Sequence, residues 1–177
     1  MSFIIQTVFD IYIYIVILRL LLQAIRIRFD NPFSEFAIRF TQPLIGPLQK
    51  HLPEIKHIDL AILLFACILE MVKFSLLILL TSGGFPNIGG LFLISVADLV
   101  RHFTNFYFYA IVFRIIFSFV VLMRYNTLVF TITQLTEPLL GPIRRRVPLV
   151  SGFDLSPVIA LIGLVLLERF VIGVFGL

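Results

Sequence analysis

Six charged side chains, Arg19, Glu70, Lys73, Arg114, Glu168 and Arg169, fall inside stretches that are otherwise apolar. An unpaired charge at the centre of a bilayer costs at least ~2.5 kcal/mol on insertion scales, so each needs a partner or water. Two roles use such groups: ion pairs that lock helices together, or a water-lined path for ions. At about 1.5 Å rise per residue, Glu70 lies roughly 18 Å from Ile58, near mid-bilayer, and Glu168 is about as deep in the last apolar stretch. Arg19 and Arg114 precede Asn31 and Asn126 by 12 residues each (31 − 19 and 126 − 114), which sets them at similar depth. Both arginines are expected to face the bundle interior and pair with Glu70, Glu168, or the aspartates Asp59 and Asp154. Snorkelling to the interface is the competing reading. Glu70 with Lys73, and Glu168 with Arg169, are close enough in sequence to neutralise each other.

Catalytic patterns are missing from the chain. It has no phosphate-binding glycine loop, no nucleophile elbow and no HExxH, so no enzymatic activity is expected. His51, His57 and His102 are not spaced to share a metal on one helix face and read as solvated interfacial side chains; no metal and no cofactor are assigned. A haem-assembly role would need an axial ligand, and no histidine is placed in mid-span. Cys67 is the sole cysteine, which leaves no intrachain disulfide and no c-type haem attachment.

The elements that must position these charges are membrane helices. Of 177 residues, 60% are apolar and 14% charged, where a soluble domain carries about a quarter charged. Mean hydropathy is +1.09. Runs at 3–25, 58–80, 103–123 and 153–177 are each long enough to cross the hydrocarbon, giving an all-α membrane protein of four transmembrane helices. No cleavable signal peptide is expected. Lys and Arg concentrate in the first and third connections, as Arg26, Arg28, Arg39, Lys50 and Lys56, then Arg124, Arg144, Arg145 and Arg146. The middle connection holds only Arg101. The positive-inside bias then puts both termini outside the cytoplasm, and the net charge of +4 reflects topology rather than nucleic-acid binding. Within the middle connection, 81–102, the piece 91–100 reads as an interfacial or buried half-helix. The alternative is a continuous third span beginning near Leu91.

"FTQPLIGP" at 40–47 returns as "LTEPLLGP" at 135–142, an offset of 95. At that offset Thr41, Pro43, Gly46, Pro47 and Asp59 meet Thr136, Pro138, Gly141, Pro142 and Asp154, and Arg19 meets Arg114. The chain therefore reads as two parallel tandem repeats, 1–80 and 103–177, each a span, a cytoplasmic segment and a span, related by an axis along the membrane normal. The segment starting at Asn31-Pro32 carries apolar Phe33, Phe36, Ala37, Phe40 and Leu44 at helical spacing, opposite Arg39, Gln42 and Lys50. Proline breaks a helix interior, so a proline-kinked pair of amphipathic helices is expected, with Thr41 capping the second at Pro43. Copy two is the same with Thr136, Pro138 and the basic end Arg144, Arg145 and Arg146. The functional reading is a contact surface for a partner or for lipid. The plainer one is a rigid corner. Asp154, Ser156 and Pro157 read as the capped start of the last span, with Asp59 as the weaker counterpart. The aromatic run "NFYFYAIVF" faces lipid or packs between the repeats.

"NPFSEFAIRFTQPLIGPLQKHLP" and "DLAILL", then "TQLTEPLLGPIRRRVP" and "FDLSPVIAL", resemble the two repeats of the YggT (YlmG-like) family of small integral membrane proteins over nearly the whole chain. The resemblance implies the inner membrane of a Gram-negative bacterium. It further implies roles in osmotic-stress tolerance, ion uptake, cell division or the envelope, with plastid relatives linked to cytochrome maturation and nucleoid organisation. It supplies no catalytic residues. Asp59-Leu60-Ala61-Ile62 departs from the fuller "DLSP" of copy two. The expected function is a non-enzymatic membrane factor that binds or organises partners. The alternative is a transport element in which Arg19, Arg114, Glu70 and Glu168 line a path. Expected partners are membrane lipids and either a protein partner or a second copy of the chain, with no direct nucleic-acid contact.

Overall fold

The structure, a computed structural model, describes residues 2–25, 32–50, 52, 54–55, 58–82, 84, 87–119, 126–147 and 154–175. Among the described residues it has six helices: α1 (Ser2–Ala24), α2 (Pro32–Gln49), α3 (Leu60–Ser82), α4 (Ile88–Phe119), α5 (Thr127–Arg146) and α6 (Ser156–Phe175). A two-residue antiparallel ladder of β1 (Glu54–Ile55) and β2 (Ile58–Asp59) returns the chain from α2 into α3. Helices α1, α3 and α6 are each long and apolar enough to cross a membrane. Their outward faces remain apolar: Leu166 and Phe170 on α6 are 63% and 67% exposed, as lipid-facing side chains should be.

Helix α4 differs from the expected middle connection. It runs unbroken for 32 residues, so 91–100 belongs to one continuous helix, as in the alternative reading, rather than to a separate half-helix, and the boundary drawn at 102 falls inside it. The punctuation in the sequence stops earlier than its glycines imply. Asn87 Oδ1 accepts from Gly89 N at 3.1 Å, an N-cap, and after Gly90 no glycine or proline interrupts the helix. Because α4 is continuous, Asp98, Arg101 and His102 lie on its one face at i, i+3 and i+4.

The proline helices also differ from expectation. Neither α2 nor α5 separates in two at Pro43 or Pro138; each continues as helix through both of its prolines. Thr41 is not a cap. Its hydroxyl donates back to Ala37 O at 2.6 Å and the residue is fully buried. A proline deletes one backbone bond, but tertiary contacts on both sides of it hold the turns together: Thr41 before Pro43 and Ile45 after it are both completely buried. Asn126 caps α5, accepting from Leu128 N at 2.9 Å. Asn31 lies outside the described residues.

Helix α4 packs on α3 and α6, α1 packs on α3, α2 lies against α1 and α3, and α5 lies against α4 and α6. Two apolar clusters result. One joins Val16 and Ile17 of α1 to Ile45 of α2 and Ile62 of α3. The other joins Ile111 of α4 to Leu140 of α5 and Ala160 of α6.

Candidate functional site

Between α1, α3 and α4 the buried charges meet. Lys73 Nζ lies 2.9 Å from Asp10 Oδ1, 2.7 Å from Glu70 Oε2 and 2.6 Å from Asp98 Oδ2, with its side chain wholly shielded. His102 Nδ1 is 3.1 Å from Glu70 Oε1, and its Nε2 is 3.3 Å from Asp10 Oδ1. Arg101 closes the set against Asp98 Oδ1 at 2.6 Å, and the Tyr14 ring meets the imidazole edge-on at 5.0 Å. Glu70 and Lys73 share a face because they are one turn apart on α3. Asp10, Asp98 and His102 bring ligand atoms within 4.8 Å of one another, residue types that hold metals. The Lys73 ammonium already lies against both aspartates and supplies the positive charge there.

Arg19 does not pair with Glu70. Its guanidinium donates to Thr41 Oγ1 at 2.7 Å, Gln42 Oε1 at 2.6 Å and Gln49 Oε1 at 3.4 Å, latching α2 to α1. Gln49 in turn donates to Asp59, whose other carboxylate oxygen accepts from Ala61 N at 2.9 Å and starts α3. Arg114 makes the corresponding set on α5: Thr136 Oγ1 at 2.7 Å, Thr133 O at 3.2 Å and Glu137 Oε2 at 3.0 Å. Arg144 then bridges Glu137 at 3.3 Å and Asp154 at 2.8 Å, and Asp154 accepts from Ser156 N at the start of α6. Arg19 thus reaches its starting aspartate through one intermediary, Gln49, and Arg114 through two, Glu137 and Arg144. At the offset of 95 the chemistry changes, since Gln42 and Gln49 stand where Glu137 and Arg144 stand in the second latch. Glu168 is half-buried and Arg169 exposed, and neither forms an ion pair among the described residues.

The buried cluster has no such second copy. Asp10, Glu70 and Lys73 correspond at that offset to Asn105, Val165 and Glu168. Four of its members, Asp10, Asp98, Arg101 and His102, are not among the six charges that the sequence singles out, and His102, expected to be a solvated interfacial side chain, is buried by the helices packed around it. The available signal was the i, i+3, i+4 spacing of Asp98, Arg101 and His102, which becomes visible once 91–102 is read as helix.

Of the remaining contact-surface residues, Arg39, Pro43, Pro47, Lys50, Pro138, Pro142, Arg145 and Arg146 are exposed, and Gly46 and Gly141 half-buried. Pro157 is half-buried in the first turn of α6 and Ser156 buried. An apolar groove of about 430 Å³ separates α1 and α2 from α4 and α5, lined in part by Phe106, Tyr109 and Phe113 of the aromatic run.

The second latch titrates. Burial works to raise the Asp154 carboxyl, but hydrogen bonds from Ser156 and the Arg144 guanidinium outweigh it and hold the group below its ordinary value. A depressed carboxylate stabilises the fold above its unfolded pKa and loses that contribution as pH falls through the folded value. Acidification below the usual carboxylate range is therefore expected to raise hydrogen exchange in 127–146, and Asp154→Asn to show the raised exchange already at neutral pH.

The sequence matches the CCB3/YggT family over residues 1–80 and 93–175. The chain belongs to the CCB3/YggT family. Among its relatives, an uncharacterised protein encoded in the proC 3′ region of Vibrio alginolyticus is 44% identical, the match covering 93% of this chain and 89% of that one. An uncharacterised protein of Pseudomonas aeruginosa is 37% identical over 97% of this chain and 87% of its own length. Escherichia coli YggT is 35% identical over 90% of this chain and 82% of its own. No solved structure matches. The unmatched residues between the two CCB3/YggT segments fall at the α3–α4 connection and the first turn of α4, outside the latches and the buried cluster.

Proposed function

We propose that this CCB3/YggT protein is a non-enzymatic inner-membrane factor that binds or organises partners through the outward faces of α2 and α5, in envelope maintenance, assembly or osmotic-stress tolerance. In this reading α4 is the fourth span, the two halves are parallel repeats with both termini outside, and α2 and α5 lie at the cytoplasmic interface. One observation carries it. Arg19 and Arg114 hold the inner faces of α2 and α5 by buried or half-buried bonds, while Phe36, Phe40 and Leu44 stay exposed on α2 with Arg39 among them, and α5 exposes Phe130 in its first turn and Arg145 and Arg146 in its last. A rigidly held helix with an unused apolar and basic face is built to meet something.

The transport alternative requires water along the deep charges. Glu70, Lys73 and Asp98 are closed into contact with one another, and the apolar layer around Val16, Ile17 and Phe65 lies between them and the Arg19 latch, which favours the partner-binding reading.

Photo-crosslinkers placed at Phe40 and Arg145 in cells are expected to trap a discrete adduct. Its yield should fall at least several-fold in Arg145→Glu/Arg146→Glu, with none trapped from Phe170 on the lipid face. Arg144 is left intact because it belongs to the latch. Absence of an adduct, together with osmotic flux through sealed proteoliposomes that Arg19→Ala/Arg114→Ala abolishes, would replace this reading with transport.

A further inference from the structure

The buried cluster does not balance without a proton. Asp10, Glu70 and Asp98 set three negative charges against the two of Lys73 and Arg101, and the sixth member is His102. A residual unit charge against the sealed Glu70, Lys73 and Asp98 is costly. An imidazolium brings the sum to zero.

The ring geometry locates that proton independently of the charge count. Nδ1 lies 2.9 Å from the backbone carbonyl oxygen of Asp98 and 3.1 Å from Glu70 Oε1. A carbonyl oxygen can only accept, so Nδ1 carries a hydrogen. Nε2 faces Asp10 Oδ1 at 3.3 Å, an oxygen that already accepts from Lys73 Nζ at 2.9 Å. With Lys73 donating to it, that oxygen is held as an acceptor, and a bare Nε2 would set its lone pair close to it. Each ring nitrogen therefore has an acceptor oxygen beside it, the surroundings that suit the doubly protonated ring.

We propose that His102 is a proton-binding site, holding an exchangeable proton at neutral pH that passes to and from water by way of Asp10. The Asp10 side chain is 27% exposed and Arg101 33%, whereas Glu70 and Lys73 are sealed. Access is one-sided, because the apolar layer of Ile13, Val16, Ile17, Phe65 and Ala66 lies between the cluster and the Arg19 latch. The site binds a proton rather than relaying one across. The groups facing the imidazole are Asp10 and the Tyr14 ring from α1, Glu70 and Lys73 from α3, with Cys67 one turn below Glu70, and Asp98 with Arg101 from α4. On α6, which also packs on α4, Glu168 and Arg169 make no ion pair with them among the described residues. Loss of the proton leaves a net negative charge and a lone pair against Asp10, so α1 is held to α4 while His102 is charged and loosens when it is not.

Nitrogen-15 spectra of the histidine rings, recorded on the full-length protein in lipid nanodiscs and assigned by comparison with His102→Gln, test the site. In the natural chain His102 is expected to show two protonated ring nitrogens at pH 7. Asp10→Asn, nearly isosteric, removes one negative charge, so the midpoint of the His102 titration should move down by at least one pH unit. A neutral His102 tautomer at pH 7 in the natural chain overturns the proposal without recourse to any variant. A midpoint unmoved by Asp10→Asn overturns the route through Asp10.

Discussion

Lys73→Met is expected to lower the thermal midpoint of the detergent-solubilised protein more than any other single substitution. Lys73 touches all three carboxylates at 2.6 to 2.9 Å, and its side chain is fully buried. Removing one partner of a buried ion pair costs about 3–5 kcal/mol because the other charge is stranded. For a chain of this size that is a fall of about 10 °C, taking roughly 2–4 °C per kcal/mol. The loss reflects stranded carboxylates more than lost attraction, so Glu70→Gln/Lys73→Met should recover part of it. Scanning fluorimetry in one detergent at one pH makes the comparison. A Lys73→Met protein as stable as the natural chain would mean that water reaches the carboxylates, which would favour the transport reading.

The second large effect belongs to Arg19. Arg19→Ala removes two short charged hydrogen bonds, to Thr41 and Gln42, from a guanidinium that is almost completely buried. Hydrogen bonds to charged groups contribute about 1.5–3 kcal/mol each, so α2 should lose roughly 3 kcal/mol of its hold on the bundle, or more. Amide exchange across 32–49 should then quicken about 100-fold, since every 1.4 kcal/mol is a factor of ten. Arg114→Ala should quicken 127–146 less. Its partner Glu137 is 48% exposed, and water can replace much of what Arg114 supplied. Arg19→Lys should rescue only partly, because an ammonium lacks the fork that reaches Thr41 and Gln42 at once. Equal exchange in the natural and Arg19→Ala proteins would show that apolar contacts such as Ile45 hold α2 by themselves.

The two effects separate what each set of charges does. The Lys73 cluster joins α1, α3 and α4 to one another, and the Arg19 latch joins α2 to the helix that carries it. They lie on opposite sides of the same apolar layer, with no shared side chain, so Lys73→Met and Arg19→Ala should add.

Much of this was legible in the residues. Apolar runs of about twenty residues mark α1, α3 and α6, since a helix must bury or immerse every such face. The offset of 95 matches Arg19 to Arg114 and Thr41 to Thr136, and each arginine bonds the threonine of its own copy. Membership of the YggT family was equally readable. What the residues alone misplaced were partners. The sequence pairs Arg19 and Arg114 with Glu70, Glu168, Asp59 or Asp154 because all are deep or near the spans and opposite in charge, yet Glu70 is taken by Lys73 one turn away, and neutral Thr41, Gln42 and Gln49 accept from the Arg19 Nη atoms. Thr41 looked like a cap because Pro43 follows it, but whether a helix breaks at proline depends on what packs either side.

Composition, periodicity and an internal match therefore determined which stretches are apolar helices and which polar residues are unusual, because those follow from local spacing and from the cost of placing charge in hydrocarbon. Which charge meets which was decided only in three dimensions. Asp10, Glu70, Lys73, Asp98 and His102 come from three helices as much as 92 positions apart (102 − 10), and their meeting depends on helix packing and on α4 running unbroken past Asp98. No local rule sets the rotation of one helix about its axis against another; the packed apolar side chains do, and with them the partner each buried charge must have.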